Sequence, residues 1–156
     1  MSALELLDFV GSWRIRRRID DRRAGQVVQA DGQAVLKPAA TGLVYDEQIR
    51  LFLPGQAPLD GHRRYLWRAS ADGIAVLFAD GRAFHAFVPD SGVASAAHWC
   101  DPDQYDVGYD FSDWPCWRST WEVSGPRKCY RMETEYVPQT GGAQASGAAA
   151  GDDPKA

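Results

Sequence analysis

The sequence predicts an all-β domain, a single antiparallel up-and-down barrel of about ten strands entered through a short helical turn. Three observations carry this. Apolar and polar residues alternate with period 2 through most of the chain, as in WRIRRRI (13–19) and WRSTWEV (117–123), the pattern of strands with one face buried. Turn signals recur at short intervals, among them Asp72-Gly73, Asp80-Gly81 and Gly125-Pro126, and Asp-Gly pairs supply the positive φ that tight hairpins need. No connection leaves room for a crossover helix, so neighbours pair antiparallel, and closure into a barrel removes the sheet edges.

The totals agree with one globular domain. A chain of 156 residues, 45% hydrophobic and with six tryptophans, buries a core without disulfides. We place the barrel at residues 1–138, followed by a disordered Gly/Ala-rich tail at 139–156. The net charge of -4 gives no footprint for nucleic acid. No run approaches the ~20 apolar residues of a membrane span, and the first residues, MSALELLDFVG, lack a basic segment followed by a long apolar one. Cys100, Cys116 and Cys129 form an odd set without C-x-x-C spacing, which fits reduced thiols and a cytoplasmic location.

Taken in order, residues 3–9 make one helical turn that covers a barrel end. WRIRRRI opens the sheet with Trp13, Ile15 and Ile19 on one face and Arg14, Arg16 and Arg18 on the other. Arg17 falls on the apolar face, either reaching solvent at a strand end or awaiting an interior partner. Residues 25–38 read as a second strand with Asp31-Gly32 as a bulge or an alternative hairpin, and 42–53 as a third. In the next three strands, two-residue turns set Ala71 opposite Ile74 and Ala79 opposite Arg82. That register places Tyr65, Trp67, Val76, Phe78, His85 and Phe87 inside, and Leu66, Leu77 and Phe84 outside with Arg64, Arg68 and Arg82.

A loop at 89–93 leads to Ala94–Cys100. A four-residue turn, 101–104, then sets Cys100 opposite Tyr105 and His98 opposite Val107. The face bearing His98, Cys100, Tyr105, Val107, Tyr109 and Phe111 is inner, because Asp106, Gly108 and Asp110 occupy the other. Trp117, Ser119, Trp121 and Val123 follow on the inner side, and then Tyr130, Met132, Thr134 and Tyr136.

These residues carry two resemblances. Phe9-Val10-Gly11-Ser12-Trp13 resembles the Gly-x-Trp opening of lipocalin-like (calycin) barrels, Pro102–Tyr105 is loosely similar to their second signature, and Arg131 would be the last-strand arginine that stacks on the opening tryptophan. Without a secretory segment the likeness points to the intracellular relatives, such as fatty-acid-binding proteins and haem-binding nitrobindins. The stretches RRYLWR (63–68), DGRAFHAF (80–87), HWCDPDQYDVGYDF (98–111), WPCWRSTW (114–121) and GPRKCYRM (125–132) are similar to an uncharacterised bacterial domain-of-unknown-function family. That likeness covers about Phe9 to Pro138 and implies a lipocalin-like barrel, with no activity attached.

Chemistry is concentrated on the inner faces. Tyr65, Trp67, His85, His98, Tyr105, Tyr109, Ser119 and Trp121 are the expected ligand-binding residues, because they combine flat apolar surface with a few polar groups. The expected partner is a small, partly polar molecule, planar or anionic. A packed, hydrogen-bonded imidazole is the bland reading for each histidine. An enzyme on the same barrel would use His98 or His85 for acid–base work with Tyr105 or Tyr109 as donor. Haem is a lesser alternative, since either histidine would ligate it but tyrosines and tryptophans crowd the slot. His98-x-Cys100 lacks a C-x-x-C or H-E-x-x-H companion, so no metal site is expected. Arg63, Arg64, Arg68 and Arg118 either pair with Asp106 or Asp110 or clamp an anion at the barrel mouth. A third reading is an interaction module with a filled interior.

Overall fold

The computed structural model describes residues 4–89 and 93–139. The tail expected at 139–156 lies outside the described residues apart from Gln139, as do positions 90–92 of the expected loop.

A 3-10 turn, Leu6–Phe9, precedes ten strands: β1 Gly11–Asp21, β2 Gln26–Ala39, β3 Gly42–Phe52, β4 Leu59–Ala69, β5 Ile74–Phe78, β6 Ala83–Phe87, β7 Val93–Cys100, β8 Asp103–Asp110, β9 Trp117–Ser124 and β10 Cys129–Pro138. They form one antiparallel sheet in the order β6-β5-β4-β3-β2-β1-β10-β9-β8-β7. The sheet curls until β6 lies beside β7, giving a nearly closed barrel. Among the described residues no backbone ladder joins those two strands, so the expected closure is completed by side chains. Phe84 of β6 lies edge-on to His98 of β7 at 5.4 Å, and one strand further on, at β8, Tyr109 Oη meets His85 Nε2 at 2.7 Å and the Tyr109 ring stacks on Phe87 at 4.1 Å.

The helical turn closes one end. Phe9 is fully buried, with its ring edge-on to Trp67, Phe111, Trp114 and Trp117 at 5.0–5.6 Å. Its carbonyl accepts the Trp13 indole N–H at 3.0 Å. Leu4 N–H bonds the Pro89 carbonyl, tying the segment before the turn to the chain just after β6. Large aromatic area is buried here while the one indole polar atom of Trp13 is satisfied. At the opposite end Ile19, Leu51, Phe78, Tyr105 and Tyr130 are only half-buried, so the interior communicates with solvent from that side.

Four expectations need correction. The Asp31-Gly32 pair makes neither bulge nor hairpin: β2 runs unbroken through it, pairing Ile15 with Gly32 on one side and Gly32 with Ile49 on the other. Glycine is needed for approach, since a Cβ there would sit 2.0 Å from the Gln48 carbonyl oxygen. The β4–β5 hairpin pairs Ala69 with Ile74 and β7–β8 pairs Cys100 with Asp103, each two residues off the expected register. A shift of two keeps every side chain on its face, so the inner sets survive. The β5–β6 ladder breaks between Val76 and Leu77, and the extra residue turns Phe84 inward, where it is 2% exposed, instead of outward. Arg131 does not stack on Trp13. It sits on the outer face paired with Glu122 and Glu133.

Candidate functional site

The barrel interior is built around a buried ion pair. Arg17 on β1 reaches over β2 to Glu47 on β3, and this is possible because β2 presents Ala30, Gly32 and Ala34 inward. Guanidinium and carboxylate meet in a fork, with Nη1 to Oε2 at 2.6 Å and Nη2 to Oε1 at 2.8 Å, both side chains almost wholly enclosed. The third guanidinium nitrogen, Nε, donates to Thr134 Oγ1 at 2.8 Å. Tyr45 donates to Glu47 Oε1 at 2.5 Å and shares a 2.9 Å hydrogen bond with Tyr136. Each guanidinium nitrogen and each carboxylate oxygen of the pair thus has a partner, the condition under which low-dielectric charges persist.

Burial alone would raise the Glu47 carboxyl, but the Arg17 hydrogen bonds and charge outweigh it and hold it below the usual carboxylate value. Burial drives the Tyr45 and Tyr109 phenols well above 10, so both are neutral near pH 7. His85 is pushed down to about 4, first by burial and then by the nearby His98, and its imidazole is neutral there too.

Beside this network is a cavity of about 30 Å³, lined by Arg17, Tyr45, Glu47, Arg63, Tyr65, Trp67, Val76, Phe84, His85, Tyr109, Trp117, Ser119, Trp121, Met132 and Tyr136. Six of the eight residues expected to bind a ligand are among them: Tyr65, Trp67, His85, Tyr109, Ser119 and Trp121. His98 and Tyr105 share the inner face but stand behind Phe84, whose ring lies edge-on to both at 5.4 and 5.5 Å. The cavity is also far smaller than a drug-sized site. It holds about two waters.

Two buried polar atoms among the described residues have no partner, His85 Nδ1 and Trp117 Nε1, and both residues line this cavity. His85 has one nitrogen engaged by Tyr109 and the other idle. Trp117 stacks on Tyr136 at 3.7 Å, which seats its ring and leaves its N–H unmatched.

The arginines divide differently from expectation. Arg64 pairs Asp46, while Arg118 lies opposite Asp110 in register but pairs Glu135 at 3.4 Å. Asp110 instead accepts from Ser112, and Asp106 accepts from the Gln104 amide. Arg63 alone of the four turns inward, its guanidinium 5.5 Å over the Trp121 ring. Among the described residues no group of three or more His, Cys, Asp and Glu converges as metal ligands. The three cysteines are free thiols.

Glu47, Tyr45, Thr134 and Tyr136 belong to the interior network and had no place in the expected site. The signal was available: in Leu43-Val44-Tyr45-Asp46-Glu47-Gln48-Ile49, alternation puts Glu47 on the apolar face, as it does Arg17 in β1. Two opposite charges, each misplaced on an inner face and two strands apart, mark an interior pair.

A nearly closed ten-stranded meander with its first strand opened by Gly-x-Trp and one end stoppered by a helical turn defines a lipocalin-like barrel. The same fold is found in the S-type phycobiliprotein lyase CPES from Guillardia theta, with a TM-score of 0.58 and 12% identity over 85% of this chain and 89% of that one. The chain belongs to the family of unknown function DUF6314, whose model matches residues 9–138. No curated protein matches the sequence. Among the described residues no helix is long and apolar enough to cross a membrane.

Proposed function

We propose that this barrel binds a small, planar and partly polar molecule in its interior, in the cytoplasm, with the polar end of the molecule at the cavity beside Tyr65, Trp67, His85, Tyr109, Ser119 and Trp121. The observation that carries the reading is the pair of idle polar atoms, His85 Nδ1 and Trp117 Nε1, on two residues that line the same cavity. A buried donor or acceptor left unmatched costs roughly 1–3 kcal/mol, and such groups are uncommon in folded proteins unless water or a ligand meets them. The surrounding aromatic rings offer flat apolar surface for a planar body. The phycobiliprotein lyase shares the architecture, which supports a carrier or lyase-type role by analogy of fold.

Indole N–H signals in a nitrogen–proton correlation spectrum provide the test, with a fragment library of small planar compounds as titrants. Binding at the cavity shifts the Trp117 and Trp121 signals and leaves that of Trp99, 59% exposed, in place. Shifts confined to Trp99, or none for any fragment, would refute the reading.

A further inference from the structure

We propose that the ligand of this cavity is a planar monocarboxylate, its anionic group received by Arg63 and its flat body lodged among the half-buried rings at the open end of the barrel. The inference rests on the cavity reading above and adds the charge class of the occupant.

The charges that line the cavity do not cancel. Three ionised side chains line the cavity: Arg17, Arg63 and Glu47. The tyrosines there are held neutral by burial and His85 is neutral at pH 7. The net lining charge is therefore one positive. Glu47 faces Arg63 directly across the β3–β4 ladder, yet gives both its oxygens to Arg17 and one of them also to Tyr45. No ion pair among the described residues engages Arg63. Its guanidinium rests on the Trp121 face, which holds a cation in place but does not neutralise it.

Stoichiometry and shape narrow the class. A dianion would leave one negative charge uncompensated inside the barrel, which is as costly as the lone cation it replaces. The planar fork of an arginine matches the two oxygens of a carboxylate. A space for about two waters is also space for two carboxylate oxygens, and no more. The rest of the molecule must then extend toward the open end, where Tyr65, Phe78 and Tyr105 are half-buried. Tyr65 and Tyr105 both border Trp121, at 6.5 and 6.0 Å between ring centres. Flat walls of this kind favour an aromatic or conjugated acid over a flexible chain.

The experiment uses the full chain and four probes of matched shape: 2-naphthoate, 2-naphthylmethanol, 2-naphthylmethylamine and 2-naphthyl phosphate, each followed by calorimetry and by the Trp121 indole signal. Naphthoate is expected to bind roughly tenfold or more tighter than the alcohol, the worth of a charge-assisted hydrogen bond, and the amine and the phosphate dianion are expected to bind more weakly than naphthoate. Arg63→Met should erase the preference for the acid while leaving alcohol binding in place, and Arg63→Lys should retain part of it. Thermal melts of both variants establish that they fold, and Arg63→Gln replaces Arg63→Met if the latter does not. Equal affinity for acid and alcohol, or a preference that survives in the folded Arg63 variants, overturns the carboxylate assignment alone. Failure of every probe to move the Trp121 signal overturns that assignment together with the cavity reading.

Discussion

Removing one half of the Arg17–Glu47 pair strands the other charge inside the barrel. Glu47→Gln should therefore destabilise the fold by about 3–5 kcal/mol, whereas the double variant Arg17→Met/Glu47→Leu should cost less than either single change; urea unfolding of the three proteins measures this. The pair also sets an acid limit. Glu47 titrates below its ordinary 4.5 when folded, so its stabilisation is complete above pH 4.5 and is lost as pH falls through the folded value. His85 acts over a higher window. Its folded value of about 4 lies below the ordinary 6.5, so on acidification the unfolded chain takes up the proton first. Stability should decline between pH 6.5 and 4 by up to roughly 3 kcal/mol from this group. His85→Gln should flatten that part of the stability profile and leave the Glu47-dependent fall below it; a profile that keeps its slope in the variant would rule out His85 as the source.

At the scale of the strand, alternation carried the faces and turn chemistry failed to carry the register. The inner sets of β4, β7, β8, β9 and β10 follow from period 2 alone, because a slip of two residues is invisible to it. The hairpins at 70–73 and 101–102 differ from the lengths their Asp-Gly and Asp-Pro signals suggested, and nothing local distinguishes these choices. Phe84 was unreadable for a different reason. A bulge inserts one residue and reverses the parity of what precedes it in β6, so Phe84 joins His85 inside. Gly32 is the strand residue with the least freedom. Placing a methyl against the Gln48 carbonyl forces β2 from β3 beneath the ion pair, and Gly32→Ala should destabilise by about 1–3 kcal/mol, read from the denaturation midpoint. The outer faces show where the arginines went. One row crosses seven strands with alternating sign: Asp60, Arg50, Asp31, Arg16, Glu135, Arg118, Asp110. Opposite charges directly across a ladder favour the native register, and their exposure makes the contribution salt-dependent.

For the whole molecule, the contrast is between a stoppered end and an unladdered seam. Phe9 anchors the stopper, and Phe9→Ala should cost about 3–5 kcal/mol, as expected for a large ring removed from a packed site. The β6–β7 seam is held by side chains, so amides along β6 should exchange with solvent faster than those of β1 and β10, which are laddered on both sides. Hydrogen-exchange mass spectrometry resolves the two sets, and equal protection would mean the seam is not a weak line. The barrel class was legible in Gly-x-Trp, the alternation and the turn spacing. The size of the interior was not, because volume depends on how Phe84, Trp117 and Trp121 fit together, a property of packing that no single strand encodes.

The central claim is that the space bounded by His85, Trp117 and Arg63 exists to be filled. Native mass spectrometry of the full chain as isolated addresses it most directly. A non-covalent adduct of one small molecule per chain, reduced in Arg63→Met and shed on denaturation, is the result expected here. The bare mass of the chain alone, in protein purified gently and never unfolded, would contradict it.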